Sequence, residues 1–350
     1  MNEKIVLVLL LAARTFSTFS TDLSEFFEKK HCDPKCTFDS RNLSSKTIDL
    51  FPKTCSTVCS DLQIGEDCDL TEAQLTSAFL NMKRLIGNIF VVSTKFRSGS
   101  FLAGLESIEC NNFDVMWVLN NQMLEIGLTN LTSISCVGFQ VTENKKLVRL
   151  NMPNLKNITM PEFPKPNDKN TKLKFHSESS DFCITIEEME NFITANVINV
   201  DETSGKYCAP VTTNEKNLCM SPSLCQKVFG DVEVGPNTNL DSIKMIEIIF
   251  GSLIINGTNV TDFNFLENLK YVASFTADKS GIIVENNPNL QNISFPKLKR
   301  VRASNPATIV FDKNNKYLSL DVDSCNGLKN ALGITTDWSP TIDGNDCCKQ

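Results

Sequence analysis

The chain has 350 residues, 41% of them hydrophobic and 21% charged, with 14 cysteines and a formal net charge of −7. This is the balance of a globular protein long enough for two or three cores, and with no basic cluster it argues against nucleic acid or an anionic membrane as partner. The two histidines, His31 and His176, stand apart in polar stretches, and neither Gly-x-Ser-x-Gly nor a phosphate loop occurs, which leaves triad and nucleotide chemistry without their parts.

Residues 1–21 read as a secretory leader: Lys4 precedes an unbroken apolar run from Ile5 to Ala13, and small polar residues follow. That run is too short to span a bilayer, and the far end lacks the apolar tail of a lipid anchor. The expected product is soluble, secreted and extracellular. Residues 22–54 form a polar N-terminal cap with Cys32 and Cys36.

From there a nine-residue pattern organises the chain: apolar-x-apolar-x-x-Asn/Asp/Thr-x-x-apolar. Within residues 55–160 it appears as Leu62, Ile64, Asp67, Leu70; as Ile89, Val91, Thr94; as Met116, Val118, Asn121, Leu124; and as Phe139, Val141, Asn144, Leu147. Pro161, Pro164 and Pro166 in a charged stretch close this set. Residues 161–218 are expected to form a disulfide-closed cap and linker, with a short helix over Thr185–Phe192 whose Glu187 and Glu188 lie on its solvated surface.

Within residues 219–322 the pattern returns as Val232, Val234, Asn237, Leu240; Leu253, Ile255, Thr258; Ile282, Val284, Asn287, Leu290; and Ile309, Phe311, Asn314, Tyr317. In the last copy Asn315 and Leu318 compete for the register. Residues 323–350 form a C-terminal cap with Cys325, a second short helix at Gly327–Leu332, and Cys347 and Cys348.

Copy starts are 27, 27 and 23 residues apart in the first set and 21, 29 and 27 in the second. Such a period marks a stack of units, each too small to bury its own apolar face. The apolar-x-apolar pair reads as a short strand with alternate side chains inward, and the Asn, Asp or Thr as a tight corner. A second line, Leu-x-x-Ile or its like, recurs at Leu105/Ile108, Leu131/Ile134, Leu155/Ile158, Leu269/Val272 and Leu298/Val301. Cys55 and Cys225 are 170 residues apart, as are Leu62 and Val232, while Gly87 and Gly251 are 164 apart, as are Thr94 and Thr258. The two sets read as an internal duplication.

The cysteines fit an oxidising compartment. Cys110 and Cys136 each follow a second-line Ile by two residues and stand one repeat apart. A strand spacing of ~4.8 Å lies within disulfide reach, which predicts a bridge between them. Cys183 to Cys208, and Cys325 to Cys347 or Cys348, close the two caps. Pairing among Cys32, Cys36, Cys55, Cys59 and Cys68, and that of Cys219 and Cys225, stays open. The Cys-x3-Cys pairs read as half-cystines rather than zinc ligands, so neither metal nor cofactor is expected. Asn42, Asn130, Asn157, Asn256, Asn259 and Asn292 head N-glycosylation triplets.

With positions one and three inward, positions two and four face out from the same sheet. In the first set these are Gln63/Gly65, Phe90/Val92, Trp117/Leu119 and Gln140/Thr142. The middle two levels would present Phe90, Val92, Trp117 and Leu119 as one apolar patch, with Gln63 and Gln140 beside it, as a candidate ligand surface. The alternative is that another segment covers it. In the second set the outward residues are Glu233/Gly235, Ile254/Asn256, Ile283/Glu285 and Val310/Asp312, and Asn256 is a glycan acceptor.

The segments Val228–Val234, Phe101–Ile108 with its partner Phe265–Val272, and Asn286-Asn287-Pro288-Asn289-Leu290 resemble the receptor L domain, the repeat of the ligand-binding lobes of insulin and epidermal-growth-factor receptors. The resemblance implies a mainly β chain of two tandem right-handed β-helical, leucine-rich-repeat-like solenoids with short capping helices. It departs from the large receptors in lacking a cysteine-rich module between the two lobes, a transmembrane segment and a kinase. It implies non-catalytic binding of an extracellular peptide or protein, growth-factor-like or insulin-like, at a sheet face of the first domain. The alternatives are a structural or adhesive matrix protein, which would self-associate, and a carbohydrate-active β-helix enzyme, which would need clustered Asp/Glu on one sheet face.

Overall fold

A computed structural model describes residues 19–162, 170–196, 198–200, 202–210, 218–276, 279–304, 308–316, 325, 328–329 and 340–346. Most of the expected leader, most of the second short helix, Tyr317, Cys347 and Cys348 lie outside the described residues. The chain is mainly β and divides into two compact units, Met1–Phe182 with Ala195–Ile198, and Cys183–Thr194 with Asn199–Gln350.

In the first unit the strands come in pairs: β1 (Thr57–Cys59) and β2 (Leu62–Ile64), β3 (Arg84–Ile86) and β4 (Ile89–Val92), β5 (Ser107–Glu109) and β6 (Asp114–Val118), β7 (Ser133–Ser135) and β8 (Gly138–Thr142), then β9 (Asn157–Thr159) and β10 (Thr171–Phe175). Odd-numbered strands form a five-stranded sheet in the order β1-β3-β5-β7-β9. Even-numbered strands form a second in the order β2-β4-β6-β8-β10, with Ile198–Asn199 beyond β10. Each strand pairs in parallel with the one a repeat earlier. The second unit repeats the plan: Leu218–Cys219, Lys227–Phe229, Ile248–Phe250, Tyr271–Ala273 and Arg300–Arg302 form one sheet. Val232–Val234, Leu253–Asn256, Ile282–Glu285 and Ile309–Asp312 lead the other.

The core of each unit is the inward column of its two sheets. In the first unit Val58, Leu85, Ile108, Ile134 and Ile158 face in from the odd strands, and Ile89, Val91, Val115, Trp117, Phe139 and Val141 from the even ones. Rings continue inward from the N-terminal end, Phe38 to Phe51 (5.4 Å), Phe51 to Phe79 (5.1 Å), Phe79 to Phe101 (6.2 Å) and Phe101 to Trp117 (6.2 Å).

The third copy therefore sits one residue earlier than the sequence reading placed it. Val115, Trp117, Asn120 and Met123 are buried, in place of Met116, Val118, Asn121 and Leu124. Trp117 belongs to the core, and Leu119 lies past the strand end with φ of 61°. A slip of one residue exchanges the two faces of a strand. Here Val-Met-Trp-Val-Leu followed by Asn-Asn satisfies the pattern in both registers.

Buried asparagines bind one level to the next. Asn120 Oδ1 accepts from the Thr94 amide (2.9 Å) and hydroxyl (2.7 Å), and Asn120 Nδ2 donates to the Val91 carbonyl (2.8 Å). Asn144 Oδ1 accepts from the Asn120 amide (2.8 Å), and its Nδ2 donates to the Trp117 carbonyl (2.8 Å). The second unit has the same ladder: Asn287 takes the Thr258 amide (2.9 Å) and hydroxyl (2.6 Å), and Asn314 takes the Asn287 amide (3.1 Å) while donating to the Val284 carbonyl (2.8 Å). Asp67 and Asn237, the matching residues of each first copy, are exposed and take no part.

A helix packs on part of the outer face of each five-stranded sheet. In α1 (Phe19–Lys29), Leu23, Phe26 and Phe27 pack on Cys59 and Ile86. Lys30 reaches Glu109 (2.5 Å) and Glu162 (2.9 Å), and Arg84 also reaches Glu109 (2.6 Å). In the second unit α3 (Ile186–Thr194), numbered after α2 (Glu72–Phe79), lies by the sheet with Glu190 on Lys227 (2.7 Å) and the Ile193 carbonyl accepting from Arg300 (2.5 Å). Beside it Tyr207 is ringed by Phe229, Phe250 and Phe275. Glu188, expected on solvated surface, is buried: its carboxylate accepts from the Thr185 amide and hydroxyl (both 3.0 Å) while the Thr185 hydroxyl accepts from the Glu188 amide (3.1 Å). This is a capping box, which turns the glutamate back along the helix.

Disulfides join Cys32 to Cys59, Cys36 to Cys55, Cys110 to Cys136, Cys183 to Cys208 and Cys219 to Cys225. Cys110 and Cys136 stand one level apart with Cα atoms separated by 4.9 Å. Cys325 is also disulfide-bonded, and Cys68 is free.

Glu109 makes the docking of α1 sensitive to acid. Partial burial pushes its carboxyl up, but hydrogen bonds from Lys30 and Arg84, together with their charges, outweigh this and hold it below the ordinary glutamate value. A carboxylate with a depressed folded pKa stabilises fully above its unfolded pKa and stops doing so as pH falls through the folded value. Acidification below the ordinary glutamate range is therefore expected to loosen α1. The check is amide exchange over residues 23–30, corrected for intrinsic rates: wild type should show a step on acidification that Glu109→Gln lacks.

Candidate functional site

With helices packed on part of each five-stranded sheet, the outer faces of the even-strand sheets carry the outward side chains of interest. In the first unit Phe90 stands directly opposite Met116, and Val92 opposite Val118. Met116 in turn faces Gln140, Val118 faces Thr142, and Gln140 faces Lys174. Gln63 flanks Phe90 on the other side. Phe90, Val92, Met116 and Val118, all half-buried, form a contiguous apolar quartet. Directly opposed side chains on one face have Cβ atoms ~5 Å apart, so these four make one continuous patch rather than scattered points.

Of the residues expected at this face, Gln63, Phe90, Val92 and Gln140 lie on it. Trp117 and Leu119 do not, and Met116 and Val118 hold the places assigned to them. The Trp117 ring is packed on the other side of the sheet against Gly99, where an added Cβ would overlap the indole and the Ile126 carbonyl. The two registers of the third copy could have been separated by a cue in the sequence: only with Val115 and Trp117 inward does the strand bury its largest side chain.

The rim is polar and asymmetric. Gln140 Nε2 donates to the Asp114 carboxylate, which lies over Gly138, the residue facing both Asp114 and Lys172. A Cβ at Gly138 would come within 2.6 Å of an Asp114 carboxylate oxygen, so glycine is what lets that carboxylate lie flat on the sheet. Lys172 and Lys174 form the β10 side of the face, and Gln63 the β2 side.

The corresponding face of the second unit carries a row of Ile254, Ile283 and Val310, led by Glu233. Alongside runs a polar row of Asn256, Glu285 and Asp312. Glu285 and Asp312 are cross-strand neighbours, but Asn256 donates to Glu285 (2.7 Å) and Lys313 pairs with Asp312 (2.8 Å). Both carboxylates are thus engaged in neutral or ionic contacts on the sheet. No group of three or more His, Cys, Asp or Glu suited to a metal occurs among the described residues. All six triplet asparagines, Asn42, Asn130, Asn157, Asn256, Asn259 and Asn292, are exposed. No helix among the described residues is long and apolar enough to cross a membrane.

A family model described as receptor L domain matches residues 54–148 and again residues 224–330. No curated protein matches the chain significantly.

Proposed function

This chain belongs to the receptor L domain family, and from that premise we propose that it is a secreted, glycosylated, non-catalytic binding protein for an extracellular peptide or protein, growth-factor-like or insulin-like. In this reading each unit is a right-handed β-helix, the hand that parallel crossover connections almost always take. The five disulfides with both partners among the described residues, and the bonded Cys325 beside them, suit folding in an oxidising compartment. The ligand lies on the even-strand face of the first unit.

The observation that carries this is the apolar quartet. Strands of both units alternate apolar-in and mixed-out, so the core needs nothing apolar at Phe90, Val92, Met116 or Val118. Contiguous outward apolar side chains with a polar rim are the usual make-up of a protein-binding surface. The test is a pull-down from extracellular fluid with wild type beside a Phe90→Ser/Met116→Asp double variant whose fold is checked by circular dichroism. A peptide or protein partner held by wild type and lost by the folded variant is expected. Equal retention by both would place the site elsewhere, and recovery of the protein alone would favour a self-associating structural role.

A further inference from the structure

The apolar face has an acceptor triplet for N-glycosylation at its edge. Asn42 forms a parallel bridge with Gln63: the Leu43 amide donates to the Gln63 carbonyl (3.0 Å), and the Gln63 amide donates to the Arg41 carbonyl (3.0 Å). Residues 41–43 thus extend the even-strand sheet by one partner beyond β2. Bridge partners present their side chains to the same side of a sheet. Leu43 is buried and Asn42 is exposed, which fixes that side as the outer one. A single row therefore runs Asn42, Gln63, Phe90, Met116, Gln140, Lys174 across the face. At ~4.8 Å per strand, Asn42 stands roughly 10 Å from Phe90.

Asn42-Leu43-Ser44 is an acceptor triplet. The other two in this unit lie off the face, Asn157 in β9 of the opposite sheet and Asn130 between β6 and β7. We propose that Asn42 carries an N-linked glycan which screens the Gln63–Phe90 side of the face, so that ligand reaches the quartet from the side of β8 and β10. In forming it, Asn42 Nδ2 bonds to the anomeric carbon of a lipid-diphosphate-linked oligosaccharide. The bond from that carbon to the phosphate oxygen breaks, the lipid diphosphate leaves, and Nδ2 gives up one proton.

The inference rests on the reading of this face as the ligand surface, but its test needs no ligand. Protein from a glycosylating host would be compared with Asn42→Gln and with Ser44→Ala, which abolishes the triplet while keeping Asn42, by hydroxyl-radical footprinting. Phe90 and Met116 should label several-fold more slowly in the glycosylated wild type than in either variant. Met245, exposed in the second unit, should label equally in all three. An unmodified Asn42 in the intact mass, or equal labelling of Phe90 and Met116 in the three proteins, would overturn the proposal. A failed pull-down with a positive footprint would instead remove the ligand and leave the glycan in place.

Discussion

Asn120→Ala should cost the first unit about 3–6 kcal/mol, because a buried polar group left without its partner costs about 1–3 kcal/mol and three lose theirs at once. The Thr94 amide and hydroxyl lose their acceptor, and the Val91 carbonyl loses its donor. Small domains are stable by only about 5–15 kcal/mol, so the variant should express poorly and lose protection around β4 and β6. Asn287→Ala should do the same in the second unit, through Thr258 and Ile255. The control is Asn121→Ala, one residue along. Its side-chain oxygen is buried without a hydrogen-bond partner among the described residues, so its loss should be mild. Hydrogen exchange resolved to each unit reads all three. If Asn120→Ala and Asn121→Ala cost alike, the ladder is not what binds the levels.

The second large effect is a contrast between neighbours. Trp117→Ala should destabilise by about 3–5 kcal/mol, the usual range for emptying a large aromatic site, since Trp117 is fully buried and contacts Phe101. Met116→Ala should stay near 1 kcal/mol or below, as expected of a half-buried outward residue, yet weaken capture of any ligand bound to the quartet. Denaturant midpoints for the two variants decide the matter. The opposite order, with Met116 the costly one, would mean that β6 is one residue out of register and that the indole belongs to the surface.

That contrast also shows what could be read before any coordinates. Seven of the eight copies name their inward pairs correctly, because alternation is a direct image of which side chains leave water. The third failed where apolar residues ran Val115, Met116, Trp117, Val118 without a polar break, so periodicity gave no phase. The five-stranded sheets were legible too, as Ile108, Ile134, Ile158, Val272 and Val301 are their inward residues. Less visible were elements whose reason lies in contacts. Helix α2 carries a Thr71–Gln74 capping box that the sequence does display, while α1 is held by Phe26 and Phe27 on a sheet that sequence alone does not put beside it. Strand β10 alternates plainly as Thr171, Leu173 and Phe175 inward, but follows a proline-rich stretch that reads as unwinding. The face itself was half legible: Phe90 and Val92 came from the pattern, whereas their partners depended on the phase of β6.

The ladder has a consequence for how such a chain can change length. Every step uses the same bonds: an asparagine oxygen accepting the amide of the residue in the same place one level before, and its nitrogen donating to a carbonyl of that earlier strand. Yet the steps span 26, 24, 29 and 27 residues. The difference is absorbed in the excursions between strands, which the joint does not involve. A gene that gained or lost one whole period would rejoin at an identical joint, with the cut ends already complementary. The number of levels is therefore free to drift while the cross-section stays fixed, and loops of unequal size can accumulate on one flank without disturbing the sheet faces.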